Sequence, residues 1–213
     1  NASNSPYITA SKSADGNKIL ADISTTQKLT GGLNPTVASG DYTTALSNIE
    51  TIDWNVLVTD TEDTANHAAI KTYIDRVRNE GKRVIGVVGE KTSVALATRL
   101  SDAASFNDPA IVYVANGFKG SDGAVREGYK SAARVAGMIA AADITDSLTH
   151  SIVANAIEVV GGLTNAQVEQ AIQSGALVFT MNANKQVQVE YGITTFVTPT
   201  ADMDAGWKKI RRV

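Results

Sequence analysis

From Ile52 onward, short apolar runs alternate with segments in which apolar residues recur three and four positions apart, the spacing that lines one side of an α-helix. Residues 56–58, 84–88 and 110–114 read as β-strands. Between them, Ile70, Tyr73, Ile74 and Val77, then Leu96, Leu100 and Ala103, form helical stripes, the first stopped by Gly81 as a C-terminal cap. Continuous Val/Ile runs suit strands covered on both faces, so the pattern predicts an α/β fold: a mainly parallel open sheet with right-handed crossovers and flanking helices. Ahead of it, Tyr42, Ala45, Leu46 and Ile49 predict a helix capped by Ser39 or Asp41.

Further along, residues 124–142 predict a helix with Val125, Tyr129, Ala132, Ala136 and Ile139 on one side and Arg126, Lys130 and Arg134 in a row on the other. Its many Ala residues and Gly137 predict close approach of a neighbouring backbone. Residues 151–160 read as another helix, ended by Gly161-Gly162, and Thr164 with Gln167 forms a capping box for a helix carrying Val168, Ala171 and Ile172, ended by Gly175. Residues 177–180, 187–190 and 193–197 read as strands, the first two forming a C-terminal β-hairpin through Asn182-Ala183-Asn184. The N-terminal segment is rich in Ser, Thr, Asn and Gly, with β-prone stretches at 7–9, 19–23 and 27–30, closed by Gly31-Gly32 and Asn34-Pro35. The division expected is a β-rich entry segment, residues 1–38, as the remnant of an insertion domain, and an α/β core, residues 39–213.

Composition narrows the function classes. Only 19% of the 213 residues are charged, against roughly 25% in typical soluble domains, which suits extensive protein contacts. The net charge of −3 gives no pull toward nucleic acid or anionic membranes. The longest apolar stretch, residues 135–142, is far short of the roughly 20 residues of a membrane-spanning helix. The absence of cysteine removes disulfides, thiolate metal sites and cysteine nucleophiles together. With Asn1 at its start and Val213 ending an unclosed run, the chain reads as a piece of a longer protein.

The candidate chemistry is thin. Gly86-Val87-Val88-Gly89-Glu90-Lys91-Thr92 superficially resembles a phosphate loop, but two residues rather than four separate the glycines, and Glu90 brings an anion to the place of the lysine. Asp60-Thr61-Glu62-Asp63-Thr64 follows the first strand where a von Willebrand A-type domain carries its metal-binding Asp-x-Ser-x-Ser; an acidic helix cap, with Asp60 as the capping residue, explains it more simply. His67 and His150 lack metal-site spacing and read as solvated or capping residues. There is no nucleophile elbow, and Lys208, Lys209, Arg211 and Arg212 alternate with Trp207, Ile210 and Val213 as one face of a structured element. No catalytic, cofactor-binding or metal-ligating residue is assigned, and the chain is expected to be no enzyme and to need no cofactor. The rival class is a Rossmann-like nucleotide-dependent or von Willebrand A-like metal-dependent binding protein.

Several residue groups occur in a characteristic order: Leu29-Thr30-Gly31-Gly32, Asp41-Tyr42-Thr43-Thr44-Ala45-Leu46, Trp54-Asn55-Val56-Leu57-Val58 ahead of the helix from Tyr73 to Gly81, and Ala136-Gly137-Met138-Ile139-Ala140. Ser147-Leu148-Thr149, Leu163-Thr164, Ala171-Ile172 with Gly175, and Val189-Glu190-Tyr191-Gly192-Ile193-Thr194-Thr195 follow. In order and spacing, over residues 29–213, the chain resembles the tail sheath proteins of contractile bacteriophages and phage-like particles. The resemblance implies an α/β sheath core whose copies stack in six-fold rings around a tail tube, with terminal arms that add strands to neighbouring subunits. It also implies contraction on a baseplate trigger, which drives the tube through a target envelope. The partners implied are other copies of the subunit, the tube and the baseplate, and the location is the tail sheath of a particle made in the bacterial host cytoplasm. This chain alone is expected to be monomeric.

Overall fold

The computed structural model describes residues 37–143 and 145–197. Helix α1 (Ser39–Asn48) is followed by strand β1 (Val56–Val58), helix α2 (Thr64–Asn79), strand β2 (Ile85–Gly89), helix α3 (Leu96–Phe106) and strand β3 (Ile111–Val114). Strands β4 (Gly117–Gly120) and β5 (Val125–Arg126) then lead into helix α4 (Gly128–Ala141). Strand β6 (Ala156–Val160), helix α5 (Asn165–Gln173), and strands β7 (Ala176–Leu177), β8 (Phe179–Met181) and β9 (Val187–Val189) complete the order.

Strands β1, β2, β3 and β7 form one parallel sheet in that spatial order. Alternate side chains of its strands divide two cores. Val88, Ile111, Tyr113 and Ala176 pack with Ile70, Ile74 and Val77 of α2, Leu100 and Ala103 of α3 and Ala171 of α5. Ile85, Val87, Val112, Val114 and Leu177 face Ala132, Val135 and Ile139 of α4 on the opposite side. Both faces of β2 and β3 are therefore covered, which is why these strands read as unbroken apolar runs.

Three expectations need correction. Residues 156–160 form strand β6, not the end of a helix: Asn155 adopts a left-handed conformation at φ 61°, and the β-branched run after it pairs antiparallel with β4. That three-stranded sheet, in the order β5-β4-β6, takes Val125 and Arg126 out of the expected long helix, so α4 begins only at Gly128. Residues 193–197 are buried through Phe196 but form no named strand. They are instead tied to the start of β3 and the residue that ends α3: Thr195 N–H donates to Ile111 O at 2.8 Å, and Val197 N–H to Asn107 Oδ1 at 2.9 Å.

The caps explain where the helices begin and end. Ala38 is the N-cap residue of α1, and Asp41 acts from the first turn by accepting the Ala38 N–H at 2.8 Å; neither Ser39 nor Asp41 is itself the N-cap. The Thr164–Gln167 capping box forms as expected, with Gln167 Oε1 2.9 Å from Thr164 N. Gly81, at φ 100°, allows the Lys82 N–H to return to Val77 O at 3.0 Å, the closing bond of a helix end. Hairpin β8–β9 forms as expected. The β-prone stretches within residues 1–36 and the basic run at residues 207–213 lie outside the described residues.

Candidate functional site

In open α/β sheets, ligands bind beyond the carboxyl ends of the strands, where the strand order reverses. The order β1-β2-β3-β7 runs in one direction without such a reversal. The carboxyl ends of β2 and β3 are filled from within the chain. Glu90 is buried just after β2 and accepts the Tyr113 hydroxyl at 2.9 Å. Burial, with the neighbouring Glu90 charge, pushes the Tyr113 hydroxyl far above its ordinary value. Arg99, only 4% exposed, donates from Nε to Val94 O at 2.9 Å and from Nη1 to Ala115 O. Burial pulls its guanidinium below the usual arginine value, and both of these donors are taken by backbone carbonyls.

Helix α4 closes the same corner. Thr92 donates its N–H and hydroxyl to Glu127 Oε2 at 2.7 and 2.6 Å, and these bonds hold the Glu127 carboxyl below its ordinary range. A Cβ on Gly128 would lie 2.2 Å from Glu90 O and 2.7 Å from Val114 O. The close backbone approach expected at Gly137 thus occurs at Gly128, while among the described residues a Cβ at Gly137 would meet nothing of a neighbouring element within 4 Å.

The Asp60–Thr64 loop is a turn folded onto α2. Asp63, not Asp60, is the N-cap, accepting Ala65 N–H at 3.0 Å. Glu62 pairs with Lys91 at 3.1 Å. Buried Thr61 accepts from Asp63 N and Asn66 Nδ2 through its hydroxyl, at 3.2 and 3.3 Å. His67 corrects another expectation: it is 2% exposed, with Nε2 2.8 Å from Thr61 O, and burial lowers its pKa. His150 is exposed, beside the Tyr191 ring.

The open features lie on the surface. An apolar cleft of about 600 Å³ runs between α1, the edge strand β1 and α4, lined by Leu46, Ile49, Leu57 and Tyr129. A second, also about 600 Å³, follows the outer side of α4 past Arg126, Lys130, Arg134 and Met138. A third, about 560 Å³, lies between α5 and hairpin β8–β9 and carries Glu169, Met181, Glu190 and Tyr191. The α4 cations are visible in sequence as a row; the third groove joins residues about twenty positions apart and leaves no local signal.

Residues 36–195 match the model of the phage tail sheath protein central domain. The chain belongs to the phage tail sheath protein family. The matched span contains all five helices and nine strands of the described fold. Among similar proteins, the phage-like element PBSX protein XkdK of Bacillus subtilis is 28% identical over 185 residues, covering 85% of this chain and 37% of its own length. The uncharacterised protein YqbK of the same organism is 27% identical with the same coverage. This sheath chain therefore spans under two fifths of the length of these relatives. The sheath tail protein of Desulfitobacterium hafniense is similar in structure, with a TM-score of 0.74 and 28% identity over 83% of this chain and 40% of that one. The Listeria innocua sheath tail protein Lin1278 gives 0.71 and 26% over 86% and 40%. A chain of the anti-feeding prophage baseplate shares the fold, at a TM-score of 0.60 and 12% identity, over 84% of this chain and 47% of that one.

The residue groups that carry the sheath resemblance meet in space. Gly192 N–H donates to Thr149 Oγ1 at 3.1 Å, and a Cβ on Gly192 would lie 2.9 Å from Leu148 Cβ. Gly175, at φ 76°, faces the Thr195 backbone, which a Cβ would approach to 2.8 Å. Trp54 stacks on Tyr73 at 6.0 Å and donates to Ile49 O at 3.2 Å. These positions hold elements together, which is what the pattern specifies.

Proposed function

We propose that this chain is the central part of a sheath subunit that polymerises around a tail tube and contracts to drive that tube through a target cell envelope. The match of residues 36–195 to the sheath central domain carries the reading. In it, residues 39–213 are the sheath core and residues 1–38 an entry segment. The partners are further copies of the subunit, in six-fold rings and a helical array, together with the tube and the baseplate. The location is the tail of a phage or phage-like particle assembled in a bacterial host cytoplasm.

The function is mechanical, with no bond made or broken and no cofactor needed. Two cores on opposite faces of one sheet support this, because a close-packed α/β layer moves as a unit. In a heterologous helical array each copy gains avidity from many neighbours at once, so a single contact can be weak. Terminal arms supply the rest. Light scattering coupled to size exclusion therefore returns the 22.3 kDa monomer mass for this chain at all concentrations, while the longer sheath polypeptide forms high-mass particles. A stable ring from this chain alone would show that the arms are not what holds neighbouring subunits together, and a longer polypeptide that stays monomeric contradicts the reading.

A further inference from the structure

Helix α4 turns Ala132, Val135, Ala136 and Ile139 inward. Its outward groove presents Lys130 and Arg134, one turn apart, beside Ala133, Gly137 and Ala141. Arg126 is held by Asp122 at 2.7 Å. Among the described residues neither Lys130 nor Arg134 forms an ion pair, Lys130 Nζ lies 5.4 Å from the centre of the Tyr129 ring, and no group outside the helix's own backbone comes within 4 Å of the position of a Gly137 Cβ. This is a strip of small side chains, bordered by Met138, flanked by two cations that form no ion pair among the described residues.

The groove between α5 and hairpin β8–β9 has the opposite character. Glu169 and Glu190 line it, together with Met181 and Tyr191, which are 45% and 41% exposed. Glu190 Oε2 accepts the Thr180 hydroxyl at 2.5 Å, and Glu169 Oε1 accepts Gln173 Nε2 at 3.4 Å. Among the described residues neither carboxylate faces a cation. Two anions and two protruding apolar side chains here match two cations and a low, small-residue strip there.

We infer that the α4 face of one copy docks in the α5/β8–β9 groove of the next. The occupant is a second copy of this chain because its own surface supplies the complementary charge. Either surface against itself sets like charges together, which disfavours like-with-like pairing. The contact is therefore heterologous and propagates into a ring or helix instead of closing as a two-fold dimer. This inference rests on the sheath reading and assigns one of its subunit contacts.

The chain has no cysteine, so single thiols can report the contact. Ala133→Cys in one copy and Met181→Cys in another, mixed and treated with a short bis-maleimide that traps the weak, short-lived contact, should give the crosslinked pair in preference to either homodimer. Lys130→Glu with Arg134→Glu in the first copy should lower the yield about tenfold. Glu169→Lys with Glu190→Lys in the second should then restore it, which a merely unfolded variant would not allow. Homodimers formed as fast as the mixed pair, no crosslink at all, or a yield indifferent to charge reversal would each overturn the inference. Electron microscopy of the longer sheath polypeptide tests the sheath reading separately, since tubes can form whichever surfaces hold the copies together.

Discussion

Asp63 shows how one residue's place in a turn decides its role. Three carboxylates, Asp60, Glu62 and Asp63, precede α2, and only Asp63 reaches a free helical N–H. Asp63→Ala should cost about 0.5–2 kcal/mol, and Asp60→Ala little, as read from urea unfolding. Two glycines of one helix make the matching contrast. Gly128→Ala drives a Cβ into the Glu90 carbonyl and should cost about 1–3 kcal/mol through strain. Gly137→Ala meets nothing and should stabilise by about 0.5–1 kcal/mol through the entropy of the unfolded chain. His67 sets a pH dependence. Burial depresses its folded pKa below the ordinary 6.5, so as pH falls through 6.5 the unfolded chain takes up a proton that the folded chain resists. Its stabilisation is complete above pH 6.5 and declines below it. His67→Gln, whose amide can still donate toward Thr61 O, should flatten the loss of urea midpoint between pH 7 and 5.5; an unchanged slope would assign that loss to other groups.

At the scale of elements, Asn116 joins β8 to the end of β3. It is fully buried, donates to Phe179 O at 2.9 Å and accepts Phe179 N–H at 2.8 Å, while Phe118 meets Phe179 edge-on at 5.6 Å. Asn116→Ala leaves both backbone groups of Phe179 unpaired, at about 1–3 kcal/mol each. Amide exchange in β8 and β9 should accelerate more than in β2 and β3; equal acceleration would mean that the hairpin is held elsewhere. The helical stripes and the strands of the parallel sheet were legible because burial on one or both faces writes itself into local periodicity. Strand β4 was not, since Gly117 and Gly120 have little β preference and its place depends on β5 and β6 pairing from either side. Strand β6 reads as helix in the sequence because Ile157 and Glu158 face solvent, so no alternation marks its inner face.

For the molecule as a whole, the sequence order of the sheath motifs indicated the architecture, and the paired contacts Thr149–Gly192 and Gly175–Thr195 give the physical reason for that order. The surface grooves are a different case: Glu169 and Glu190 become neighbours in one groove only after β8 and β9 fold back toward α5, and no window of sequence records it. Such surfaces matter most if the chain acts by stacking copies of itself. The most direct test is negative-stain electron microscopy of the longer sheath polypeptide that contains this chain. Hollow tubes built of stacked six-membered rings are the expected result. Dispersed monomers at every concentration, with and without a tail tube to assemble on, would contradict it.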